Sequence, residues 1–214
     1  MEVRPQIFLL SPARLDGARG KLLFREAAAF PLAQKIRTRE GCAIDEVFAF
    51  VSGLYFRGKL AYANTFARAP AASDWMRTLV ITQNRGLVSA DTRVTALHLE
   101  AFSSTDIRAD EPAFRKPLVR DAKLIADAIA RSGGDVILLG SIASAKYVEP
   151  LLEVFGERLL FPKDFVGRGD MSRGGLLLRA VDAKKELEYA PVQGANRKGT
   201  RPPKLEPRRK SRTV

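Results

Sequence analysis

DVILLGSIASAKY, residues 135–147, decides the fold. Asp135–Leu139 (DVILL) is apolar without alternation, the pattern of a strand covered on both faces at the centre of a parallel sheet, and Gly140-Ser141 ends it. From Ser144 to Phe155, Tyr147, Val148, Leu151, Leu152 and Phe155 recur at helical spacing, and Pro150 places the regular part of that helix late. Arg158–Phe161 (RLLF) then reads as the next strand, which completes a strand–helix–strand unit.

The same alternation extends toward the N-terminus. Gln6–Leu10 is a short buried strand, followed by a loop, SPARLDGARG, punctuated by Pro12, Gly17 and Gly20. Residues 21–38 have an amphipathic pattern for one helix, kinked at Pro31. Val47–Val51 (VFAFV) has the β-branched and aromatic content of a strand stopped by Ser52-Gly53, and Tyr55–Arg68 returns to helical spacing. After a loop at Arg68–Trp75 comes a strand at Thr78–Thr82. Leu118, Ala122, Ile125 and Ile129 mark a helix from about Pro117 to the Ser132-Gly133-Gly134 stop. Thr92–Phe102 and Gly175–Tyr189 are undecided by pattern, the latter between an edge hairpin and a short helix plus strand. The expected fold is α/β, a three-layer sandwich with a mostly parallel central sheet, in one domain over residues 4–190.

Composition limits the function classes. The chain has 214 residues and is 46% apolar, enough for one core, and no apolar run approaches the roughly 20 residues of a membrane span. The apolar stretch near the N-terminus, Ile7–Leu10, is too short for a secretory segment, so a cytoplasmic protein is expected. One cysteine, Cys42, and one histidine, His98, exclude an internal disulfide and the usual zinc shell. No metal and no cofactor are expected.

The net charge of +12 points to an anionic partner. It is concentrated in residues 196–214, where eight Lys and Arg face only Glu206 among Pro202, Pro203 and Pro207. Such a basic tail has little apolar surface to offset the entropy of ordering and is expected to be disordered.

In open α/β sheets ligands bind outside the carboxyl ends of the strands. The loops at those ends supply the candidate phosphate or nucleic-acid contacts: Ser11 and Arg14; Arg57 and Lys59, read as projecting from their helix; Asn84 and Arg85; Gly140, Ser141 and Lys146. The most unusual segment is GRGDMSRGG, residues 167–175. Its glycines free the backbone to present N–H groups, while Arg168, Ser172, Arg173 and Gly174 form a candidate phosphate cradle around Asp170, the candidate catalytic carboxylate. The spacing matches neither a P-loop nor a dinucleotide fingerprint.

The order of elements over residues 6–180, with DVILLGSIASAKY followed by RLLFP and a polar loop, resembles the uracil-DNA-glycosylase-like α/β superfamily. There a buried strand and helix precede a loop that approaches the flipped nucleotide, and GRGDMSRGG occupies the matching position. The resemblance implies a nucleobase or nucleotide-related role. The superfamily's catalytic residues do not carry over: SPARLDG offers only Asp16 as an acidic group after the first strand, and the His-containing loop has no His here. Two readings follow. One is an enzyme that cleaves or exchanges an N-glycosidic bond, with Asp170 positioning water or stabilising a cationic sugar; the other is a non-catalytic nucleic-acid-binding protein. Neither names a protein partner.

Overall fold

The computed structural model describes residues 4–70, 73–130, 132–143, 145–196 and 199–206. The two unbroken apolar runs form the middle of the sheet. β1 (Gln6–Leu10) and β6 (Asp135–Leu139) pair in parallel over their whole length, from Gln6 opposite Asp135 to Leu10 opposite Leu139. β3 (Thr78–Ile81) lies parallel on the other side of β1, and β7 (Leu159–Pro162) parallel on the other side of β6. Antiparallel strands close both edges, β4 (Leu87–Ser89) against β3 and β8 (Tyr189–Pro191) against β7. The result is an α/β chain with a mostly parallel six-stranded sheet in the order β4-β3-β1-β6-β7-β8, plus a small ladder of β2 (Cys42–Ala43) and β5 (Arg93–Val94).

Eight α-helices occur among the described residues: α1 (Ala18–Phe24), α2 (Pro31–Lys35), α3 (Ile44–Ser52), α4 (Leu54–Phe66), α5 (Ala96–Ser103), α6 (Pro112–Ala130), α7 (Ala145–Phe155) and α8 (Asp170–Asp182). α4 packs along α8, and α6 along α7. No helix among the described residues is long and apolar enough to cross a membrane.

Several expectations are corrected. Val47–Val51 is helical, inside α3. Its buried residues are Ile44, Val47 and Phe48, an i, i+3, i+4 set, and Asp45 and Glu46 sit in the first turn where the helix dipole favours negative charge. The single helix expected over 21–38 is two, because Pro31 starts α2 rather than bending α1. Pro117 and Pro150 both lie inside helices. Each removes one ladder hydrogen bond, yet the buried residues on either side, Phe114 and Leu118 in α6, Val148 and Leu151 in α7, keep the helices docked. The region left open at 92–102 holds β5 and α5. Thr95 caps α5 in a capping box with His98, whose Nδ1 accepts the Thr95 N–H at 3.2 Å.

The largest correction concerns GRGDMSRGG. From Asp170 onward it is not a loop but the first turns of α8. Gly174 there meets Gly58 of α4: a Cβ on Gly174 would stand 2.8 Å from the Tyr55 Cα, and one on Gly58 would stand 2.7 Å from the Gly174 carbonyl oxygen. The two backbones come this close only because neither residue has a side chain. Gly174→Ala should therefore destabilise the protein by about 1–3 kcal/mol in urea denaturation, the usual cost of overpacking. Gly175→Ala, next in sequence but facing the movable Arg179 side chain, should be neutral or add up to about 1 kcal/mol of helix propensity. Equal effects at the two positions would contradict a close crossing.

Candidate functional site

From β1 the chain goes on to β3, and from β6 it goes on to β7 on the opposite side, so the loops after β1 and β6 diverge. A crevice opens between them, as it does wherever strand order reverses in an open α/β sheet. It is a cleft of about 710 Å³, lined by Ser11, Arg14 and Asp16 after β1, Ser141, Lys146 and Tyr147 after β6, Tyr55 from α4 and Asp170 from α8. A second lobe of about 290 Å³ shares Ser11, Arg14, Lys146 and Tyr147 and adds Gln83 from beyond β3. Gly140 lets the two strand ends converge, since a Cβ there would stand 3.0 Å from the Ser11 Cβ.

Lys59 is the residue whose placement differs most from expectation. It does not project from α4 but is 1% exposed. Its Nζ donates to the Ser11 carbonyl oxygen at 2.5 Å and contacts the Ser11 Oγ at 2.9 Å. The same nitrogen stands 4.5 Å from the centre of the Tyr55 ring and 4.9 Å from that of Phe56. Burial pulls its pKa down to about 7, with Asp170 opposing through its charge and Arg173 adding to the fall. Burial also raises the Tyr55 and Tyr147 phenols, so both stay protonated at neutral pH. For Tyr147, hydrogen bonds with the Ser141 backbone and the Ser11 hydroxyl pull the other way. The Tyr55 hydroxyl is buried beside the Arg173 donors, with no acceptor for its own proton among the described residues, and Gln83 Oε1 is buried without a partner among them. Lys146 is half-buried, and burial followed by the nearby Arg14 lowers its pKa.

Asp170 opens α8, where its charge suits the helix N-terminus. Its side chain is 70% exposed, and its Oδ1 lies 3.6 Å from Arg173 Nη1. Arg173 is not a phosphate fork as the sequence led us to expect: it is buried, and its Nε and Nη2 both donate to the Phe165 carbonyl, at 3.2 and 3.1 Å. Arg14 is exposed and chelates Asp16 through two hydrogen bonds of 3.1 and 2.6 Å.

The structure thus brings Ser11, Arg14, Ser141, Lys146 and Asp170 to one cleft, with Gly140, Lys59 and Arg173 supporting it. The other candidates lie elsewhere. Arg57 is exposed on α4 and leans back on the Gly53 carbonyl. Asn84 donates to Ala101 and Thr105 at α5, and Arg85 lies beside it on a separate concavity. Arg168 donates to Ser172 Oγ at 3.2 Å, on the face of α8 that meets the tail. Of that tail, residues 199–206 contain neither helix nor strand, yet they lie against this face: Arg179 donates to the Glu206 carbonyl and Arg168 to that of Pro203. Residues 197–198 and 207–214 fall outside the described residues. Gln83 and Tyr147 have no sequence signal that singles them out, since one follows a strand and the other has the spacing of a core aromatic. Among the described residues no cluster of three His, Cys, Asp or Glu is placed to hold a metal ion.

No protein-family model, no curated protein and no solved structure matches this chain.

The lowered Lys59 pKa has a thermodynamic consequence. Between about 7 and the ordinary 10.5 the unfolded chain binds more protons at this position than the folded one, so the stability owed to it rises with pH across that window. Lys59→Met removes the slope. In urea denaturation, the variant's stability relative to the parent should be more favourable at pH 6 than at pH 9.5. A difference independent of pH would mean that the folded amine titrates like a solvated lysine.

Proposed function

We propose that the chain is a nucleotide-processing enzyme, a hydrolase or transferase whose phosphate-bearing ligand occupies the cleft between the ends of β1 and β6. The observation that carries this reading is the convergence at a strand-order reversal of two cations, Arg14 and Lys146, with hydroxyl groups and a carboxylate, around a cavity of nucleotide size. Lys146 and Arg14 hold the phosphate, and Tyr55 and Tyr147 border the remainder of the ligand. For cleavage or exchange of an N-glycosidic bond, the reaction of the superfamily the sequence resembles, Asp170 is the carboxylate at hand to position water or a ribose hydroxyl. We also infer that the helices form two layers, α4 with α8 on one face of the sheet and α6 with α7 on the other, as a three-layer sandwich requires. Right-handed crossovers that leave the centre in opposite directions put their helices on opposite faces.

The non-catalytic reading places affinity in exposed cations and the tail instead. Calorimetric titration with nucleoside mono- and diphosphates and with a single-stranded oligonucleotide separates the two. On the cleft reading, Lys146→Ala weakens nucleotide binding by about 1.5–3 kcal/mol, the range for hydrogen bonds to charged groups. Lys204→Ala, in the exposed tail, costs under about 0.5 kcal/mol. Binding of the oligonucleotide alone, steeply salt-dependent and indifferent to Lys146, would favour the simple binder and overturn the enzyme.

A further inference from the structure

We propose that Ser11 and Lys59 form a nucleophile–base pair, and that the cleft cleaves a carboxylic ester of its anionic ligand by acyl transfer to the Ser11 hydroxyl. The inference rests on the cleft reading above for the identity of the ligand, but moves the covalent step from Asp170 to Ser11.

Three observations converge on it. Ser11 lines both lobes of the cleft, although the residue is nearly buried. The Lys59 nitrogen touches that Oγ at 2.9 Å and, among the described residues, has hydrogen bonds to no residue other than Ser11. A lysine whose only purpose was electrostatic would be expected beside a carboxylate, because an unpaired buried ammonium is costly; here the surroundings are aromatic rings and a serine. The third observation is Tyr55, a residue of the same cleft, whose buried hydroxyl has no acceptor among the described residues. Arg173, which acts on this hydroxyl through its charge and a hydrogen bond, carries donors only, so the Tyr55 O–H has no acceptor there. A buried hydroxyl proton left without an acceptor at the wall of a cleft can turn to the oxygen that becomes negative in acyl transfer.

The chemistry balances with the groups present and water. Neutral Lys59 Nζ accepts the proton of the Ser11 hydroxyl as Oγ attacks the acyl carbon, forming the Oγ–C bond, while the carbonyl oxygen takes negative charge on the Tyr55 side of the cleft. The intermediate collapses, the C–O bond to the leaving alcohol breaks, and Lys59 returns the proton to that alcohol. Water then enters and gives a proton to Lys59 as its oxygen bonds to the acyl carbon; the Oγ–C bond breaks and Lys59 passes that proton to Ser11 Oγ, which leaves a carboxylic acid, free Ser11 and a neutral amine. Lys146 and Arg14, on the open side of the cleft, suit a leaving or acyl group that carries an anion.

The groups that set the protonation of Lys59 face it from each neighbouring element. Asp170 on α8 favours the ammonium, Arg173 on α8 opposes it, and Tyr55 on α4 presents an aromatic face. Labelling of the hydroxyl should therefore rise with pH with a midpoint near 7, and removing the Asp170 charge should move that midpoint lower.

The test uses a fluorophosphonate probe, whose P–F bond breaks as the serine oxygen bonds to phosphorus, read by intact mass and peptide mapping on the full chain. The expected result is one adduct, on Ser11, absent in Ser11→Ala. Its rate should follow the pH profile above, shift to lower pH in Asp170→Asn, and fall at least a hundredfold in Lys59→Met. Lys59→Arg, which keeps a charge but cannot accept a proton at these pH values, should be as slow as Lys59→Met, and circular dichroism identifies whichever of the two folds. No adduct on Ser11 in the parent protein, or labelling that Lys59 substitutions leave unchanged, would overturn the pair. Nucleotide binding measured in the same samples keeps the two proposals apart. Binding without labelling sinks the pair and spares the cleft reading, and labelling without nucleotide binding does the reverse.

Discussion

The crossing of α4 and α8 at Gly58 and Gly174 is a constraint from which much of the rest follows. Lys59 and Arg173 are the chain neighbours of those glycines, and with the two backbones in contact both long side chains are carried into the interior. Arg173 reaches the Phe165 carbonyl and fixes the segment that leads into α8. Lys59 reaches the carboxyl end of β1 and holds Ser11 there. Asp170, one turn ahead of Gly174, is thereby set at the edge of the cleft. Larger residues at the crossing would move the helices apart and dissolve this arrangement before any cleft residue was touched.

A cation carried so far from water settles by shedding its proton or by finding a partner. Arg173 has the Phe165 carbonyl and the nearby Asp170 carboxylate as partners. Lys59 has a carbonyl, a hydroxyl and two rings, an environment that favours the neutral amine. The protein's large positive charge therefore has little to do with its most consequential nitrogen. Much of that charge belongs to the C-terminal segment, of which residues 199–206 run along the outer face of α8 and away from the cleft.

The sheet was legible where a strand is buried on both faces, because unbroken apolar runs such as QIFLL and DVILL admit few other readings at that length. VFAFV was misleading for the converse reason: β-branched and aromatic content is a statement about burial as much as about strands, and the helical period of Ile44, Val47 and Phe48 shows only when the window is extended backward. GRGDMSRGG looked like a phosphate cradle because glycines serve sharp turns and close helix contacts equally well, and only the position of α4 tells which. Within the candidate site, the strand-end rule brought out Ser11, Arg14, Ser141 and Lys146 without any structure. Nothing local in FRGKLAY distinguishes the buried Lys59 from the exposed Arg57, since both are cations two positions apart on one helix. The difference comes from a helix more than a hundred residues later.

The state of the Lys59 amine governs both the cleft and the Ser11 pair. With ¹⁵N-labelled lysine and the Lys59→Met variant for assignment, NMR titration follows that one nitrogen across pH. The expected midpoint is near 7, with the Ser11 environment changing in step. A midpoint near the ordinary 10.5 would mean that the amine stays charged in the fold, and would contradict both the neutral base and the burial on which it depends.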